Sequence, residues 1–155
     1  VWSVGKIEDI FAHRSITHSN KASGLEALWD GTLEAARRAS DGDLIFTNFV
    51  DFDSKYGHRR LPEGYADALE YWDQRLPELY PYLRDGDLIL WTADHGNDPT
   101  WKGTDHTREQ VPMLFFGPAA PKGVNLGTSS TFADMGATLA KHLGLKNLSA
   151  GNSVL

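Results

Sequence analysis

Two aspartate and histidine groups give this sequence its chemistry. Asp53 lies five residues before His58, and Asp94 is followed directly by His95, with His106 a polar loop further on. Carboxylate oxygen is a hard ligand and imidazole nitrogen a borderline one, so the mixture suits manganese, zinc or iron better than calcium and leaves magnesium open. Two divalent ions a few ångström apart can polarise a phosphoryl group, activate an attacking oxygen and stabilise the leaving one. Five side chains are too few for two ions, which take roughly eight to twelve positions between them, so water, substrate or further protein groups must supply the rest. Thr92, Thr104 and Thr107 stand near these groups, but no glycine-rich elbow or adjacent base marks any of them as a nucleophile.

A single Asp-His pair in a loop is usually a solvated turn or a cap, and the case rests on the two groups together. Each follows an apolar run of strand character, and three of the six histidines fall in them. Gly57 and Gly96 are read as residues that let the chain turn so that the side chains face one centre. His13 and His18 sit in a polar stretch and read as surface groups. His142 reads as a solvent or helix-end residue. Lys6, Arg59, Arg60 and Arg108 have the charge to meet phosphate. Of these, Arg108 is kept as the substrate-binding candidate.

The elements that must position these groups alternate. Val1 to Val4 is a short apolar piece, Ile7 to Phe11 is ambiguous, and His13 to Lys21 has no assignable pattern. Leu25, Leu28, Trp29, Leu33 and Ala36 recur at helical spacing, closed by Asp41-Gly42. Leu44 to Val50 reads as a buried strand that breaks into the first ligand group. Pro62 marks a helix start, and Tyr65, Ala68, Leu69, Trp72, Leu76, Leu79 and Leu83 form its apolar stripe, with a kink or break predicted at Pro77 and Pro81. Leu88 to Thr92 reads as the central strand leading into Asp94-His95. A strand over Val111 to Phe116 and a helix over Phe132 to Leu143 follow, then a polar tail from Asn147. This order predicts an α/β fold, a mostly parallel sheet flanked by helices, with ligands beyond the carboxyl ends of the strands. No internal boundary is visible.

With 155 residues, 41% hydrophobic content and a formal charge of −6, the chain reads as one acidic soluble domain with no call for nucleic acid. It has no cysteine, which removes disulfides and thiolate zinc sites. No apolar run reaches the roughly 20 residues of a membrane span, and no secretory signal opens the chain. A cytoplasmic protein without membrane contact is expected. The start at Val1 rather than Met suggests a piece of something longer.

The stretches Asn48 to Asp53 with Tyr56-Gly57-His58-Arg59-Arg60, Thr92 to Thr100, and Gly103-Thr104-Asp105-His106-Thr107-Arg108-Glu109 resemble the phosphopentomutases of the alkaline phosphatase superfamily. Gly5 to Phe11 is similar as well. The resemblance implies an alkaline phosphatase-like core, two Mn2+ ions, and interconversion of ribose or deoxyribose 1-phosphate with the 5-phosphate. It implies that Asp94 and His95 bind one ion, and that Asp53, His58 and His106 bind the other. It also implies that residues 1–155 are the C-terminal portion of the catalytic core. A nucleophilic threonine, a further metal-binding aspartate and a cap domain would lie in a missing N-terminal part, leaving this chain inactive alone. Cofactor-independent phosphoglycerate mutase shares a similar Asp-His-Gly-Asn stretch and is the alternative, ahead of a simpler metal-dependent phosphatase or sulfatase. A non-catalytic metal-binding fragment is the alternative of another class.

Overall fold

The computed structural model describes residues 1–146 and 148–155; Asn147, where the polar tail begins, lies outside the described residues. The chain forms two compact units, Val1–Leu83 with Asp94–Val111, and Arg84–Ala93 with Pro112–Leu155. Each is discontinuous in sequence. The chain passes between them three times, after Leu83, Ala93 and Val111, so no single point of the sequence divides them and the sequence reads as unbroken.

The first unit is built on a parallel sheet in the order β2-β1-β3, formed by β1 (Trp2–Val4), β2 (His18–Asn20) and β3 (Ile45–Thr47). Trp2 pairs with His18 on one side and with Ile45 on the other. Parallel neighbours need crossovers, and two are helical: the short α1 (Ile7–Ile10) precedes β2, and α2 (Leu25–Arg38) connects β2 to β3. β2 lies in the stretch that carries no sequence pattern. Its three residues are all exposed, and pairing with β1 makes it a strand.

Of the stripe predicted for α2, Leu28 and Trp29 are buried, Leu25, Leu33 and Ala36 are half-buried, and the buried alanine is the neighbouring Ala35. Leu28 and Ala35 join Val4 in the core, with Trp2, Ala22, Ile45 and Phe49 against them. Trp29, 2% exposed, stacks on Trp72 at 5.6 Å between ring centroids and meets Phe49 edge-on, also at 5.6 Å. Full burial of such side chains stabilises by about 1.5–3 kcal/mol each. Trp72 belongs to α3 (Pro62–Arg75), which starts on its proline as expected. Leu69 is exposed and drops out of the predicted stripe. The predicted break is present: α3 ends at Arg75 and gives way to a 3₁₀ segment, Leu76–Tyr82, that accommodates Pro77 and Pro81. Arg75 fastens the junction through Glu78 and through Asp30 of α2.

In the second unit, β4 (Ile89–Trp91) and β5 (Leu114–Phe116) pair antiparallel, Leu90 opposite Phe115, with the rings of Trp91 and Phe116 4.1 Å apart. The stretch predicted to be the central parallel strand thus makes its ladder in an antiparallel pair. α4 (Ala133–His142) is held by the end of the chain. Asn152 N–H donates to Asp134 Oδ1, and Val154 N–H donates to Thr138 Oγ1. Exposed His142 closes α4. No helix among the described residues is long and apolar enough to cross a membrane.

Candidate metal centre

The chain leaving β3 does not run straight into a loop. Asp51 is buried, and its carboxylate accepts the N–H of Leu25 at the start of α2 and pairs with Lys55 at 2.7 Å. That bond raises the Lys55 pKa. From this anchor, Phe52–Gly57 winds as a π-helix, closed by the His58 N–H donating to Asp53 O at 2.9 Å. In an α-helix, residues five apart point roughly 140° away from each other. The wider turn instead brings them over one another, so Asp53 and His58 face the same way.

Residues 94–111 supply the other side. An isolated bridge between Gly96 and Thr107 folds the segment back on itself and returns His106 to the π-helix. His58 Nε2 lies 3.3 Å from Asp53 Oδ1, His106 Nε2 lies 3.4 Å from the same oxygen, and the two Nε2 atoms are 3.1 Å apart. Ligands on bonds of about 2.1 Å are separated by about 3.0 Å at an octahedral centre and about 3.4 Å at a tetrahedral one. The three donors therefore have the spacing of one face of a coordination polyhedron. The Nδ1 of His58 is hydrogen-bonded to Thr104 O. A carbonyl can only accept, so this nitrogen carries the proton and Nε2 presents its lone pair to the cluster, the arrangement of a metal-ligating histidine. The side chains of Asp53, His58 and His106 are 31–47% exposed, leaving an approach for an ion.

The structure sets the His95 ring against this trio through His106, whereas Asp94 meets His95 and is not part of the three-donor cluster. The His95 ring stacks on His106 at 3.6 Å between centroids. Its Nδ1 meets Gly96 O at 3.2 Å, leaving Nε2 3.6 Å from Asp94 Oδ1. Asp94 is 83% exposed in its side chain. Arg108 is exposed, with no hydrogen bond or ion pair among the described residues. Arg60, weighed as a phosphate group, is instead committed to the loop, with bonds to Gly57, Asn97, Asp98, Gly103 and Asp105. Of the threonines, Thr107 accepts from Asp98 N–H and donates to Glu109, so its hydroxyl is engaged.

The two glycines act differently from their sequence reading. Neither Gly57 nor Gly96 has a positive φ. A Cβ on Gly57 would run into the Asn97 amide, and one on Gly96 would run into Glu109 and Thr107. Missing bulk is what the site uses, and conformational freedom is not. Asn97 donates to Asp53 Oδ1 at 2.5 Å, which makes it a site residue that its side-chain type does not signal, two places after His95.

An α/β layer carries the aspartate and histidine donors beyond a parallel strand, and the chain belongs to the Metalloenzyme superfamily, whose family model matches residues 7–147. Over its whole length it is also similar to individual phosphopentomutases. It is 57% identical to that of Aeromonas salmonicida over 155 residues, 56% identical to that of Rhizobium etli, and 54% identical to that of Yersinia enterocolitica. In each case the match takes in 100% of this chain and 38% of the relative, so the chain spans well under half the length of these curated relatives.

Proposed function

We propose that this chain is the metal-binding C-terminal portion of the catalytic core of a phosphopentomutase, a cytoplasmic isomerase that moves a phosphoryl group between the 1- and 5-oxygens of ribose or deoxyribose. The observation that carries the reading is the convergence of Asp53, His58 and His106 at 3.1–3.4 Å, in a chain with phosphopentomutase relatives along its full length. Asp53, His58 and His106 hold one divalent ion, and Asp94 and His95 contribute to a second. When bound, the pair of Mn2+ ions supplies positive charge against the phosphoryl oxygens. The chain's own residues fix the donors. Thr104 O selects the His58 tautomer, the His95 ring braces His106, and exposed Arg108 is available to a sugar phosphate.

The hydroxyl that carries the phosphoryl group between half-reactions comes from polypeptide beyond these 155 residues. Support comes from the engaged Thr107 and from the 38% coverage of the relatives. Without that hydroxyl, a polarised phosphate passes to water. The test is conversion of ribose 1-phosphate to ribose 5-phosphate with Mn2+ and a trace of sugar bisphosphate, run on this chain and on a longer polypeptide containing it. Turnover is expected only from the longer one. Equal turnover by the 155-residue chain overturns the division of labour, and none by either overturns the mutase assignment.

A further inference from the structure

We propose that Arg60, acting through Asn97, is a positioning residue that sets the carboxylate of Asp53 and holds the loop that carries His106. The role rests on reading Asp53, His58 and His106 as a metal site. Arg60 follows His58 by two residues and takes φ +53°, a left-handed conformation that side-chain-bearing residues seldom adopt. From there its guanidinium is surrounded by acceptors. Nη1 donates to Gly57 O at 3.0 Å, to Asn97 Oδ1 at 2.8 Å and to Asp98 O at 2.7 Å. Nε donates to Gly103 O and Nη2 to Asp105 O, both at 2.5 Å. One side chain thus ties the end of the π-helix to both ends of the loop that leads into His106. None of these acceptors is a carboxylate, so the contact is a matter of geometry more than of charge pairing.

The link to Asp53 follows from donor and acceptor identity. A guanidinium has only donors, so the Asn97 amide must turn its oxygen to Arg60, and its NH2 then faces Asp53. That NH2 donates to Asp53 Oδ1, the atom that lies closest to both histidines. Without Arg60 the amide is free to flip and set its oxygen against the carboxylate, which would turn Asp53 away from the histidines. Gly57 leaves the room for Asn97 to lie in this path. Lysine cannot substitute, because a single ammonium with three donors does not span acceptors arranged around a planar fork.

The experiment compares wild type, Arg60→Lys, Arg60→Ala, Asn97→Ala and the Arg60→Ala/Asn97→Ala pair in the purified protein. It reads Mn2+ affinity by calorimetric titration, the visible absorption of the Co2+-loaded protein, and the thermal midpoint without metal. Changes to groups that orient metal ligands typically cost 10–100-fold in affinity. Such a loss is expected for Arg60→Lys and Asn97→Ala, with an altered Co2+ band. The double variant should be much less impaired than the product of the two single losses. Asn97→Ala, a small change on a partly exposed residue, should keep a thermal midpoint within a few degrees of wild type and so separates positioning from folding. Wild-type Mn2+ affinity and an unchanged Co2+ band in Arg60→Lys overturn the proposal, as do independent, multiplying losses in the cycle. If the wild type binds no Mn2+, the metal-site reading fails first and this role fails with it.

Discussion

Replacing Asp53 with asparagine keeps the size and shape of the side chain and removes only its charge. In the metal-free protein the carboxylate lies near His58 and His106 and accepts from Asn97, with about a third of its surface exposed. Pairs that exposed contribute about 0–1 kcal/mol. The thermal midpoint without metal should therefore move by no more than a few degrees. Metal binding should respond far more, since one of three converging donors loses its anionic oxygen; a 100-fold weakening corresponds to about 2.7 kcal/mol. Mn2+ at 100 times the wild-type Kd stabilises the wild type by about 2.7 kcal/mol, and the same concentration stabilises the variant by only about 0.4 kcal/mol. For a protein of this size each kcal/mol moves the midpoint by about 2–4 °C. Mn2+ should thus raise the wild-type midpoint by about 5–11 °C and that of Asp53→Asn by about 1–2 °C. Differential scanning fluorimetry with and without Mn2+ measures both. Equal Mn2+-induced shifts in the two proteins would refute the assignment of Asp53 as a ligand.

The other expectations are local. His58→Ala and His106→Ala should lose most of the Mn2+ that survives dialysis, while Asp94→Ala, an exposed member of the incomplete pair, retains it; metal analysis of the dialysed proteins decides. Asp51→Ala removes a buried acceptor from the start of α2 and a partner from Lys55, and should cost about 2 kcal/mol, read from the urea midpoint. Asp51→Asn, which keeps an acceptor, should recover much of it. Asp43 accepts Ser40 N–H and the indole N–H of Trp2, which hold its carboxyl below the usual carboxylate range. A depressed folded-state pKa gives stability that is present above the unfolded value, about 3.9, and is lost as pH falls through the lower folded value. Asp43→Asn should flatten the fall of unfolding free energy with acid below about pH 4, and an unchanged slope would contradict this.

What could be read from the sequence was what residue type encodes. Ligand atoms belong to particular side chains, so the two Asp-His groups and His106 are visible before any geometry; joining His106 to Asp53 and His58 rests on the family resemblance, and the structure does bring those three together. Apolar spacing located α2 and α3, because burial of Leu28, Trp29 and Ala68 repeats with the helical period. The hidden parts depend on backbone or on partners distant in sequence. A π-turn has no period of its own to leave in six residues, so the device that aligns Asp53 with His58 looked like a loop. β2 is written in His18, Ser19 and Asn20, none a strong strand former, and it exists because β1 lies beside it. Arg60 was read by its charge, yet four of its five acceptors are main-chain carbonyls, which every residue possesses and no sequence pattern marks. Gly57 and Gly96 were read by the freedom of their φ, yet they matter for the atoms they lack. The donors of this site are therefore encoded locally. Their alignment is encoded in contacts with residues roughly forty positions away, where a substitution that spares every ligand can still disperse them.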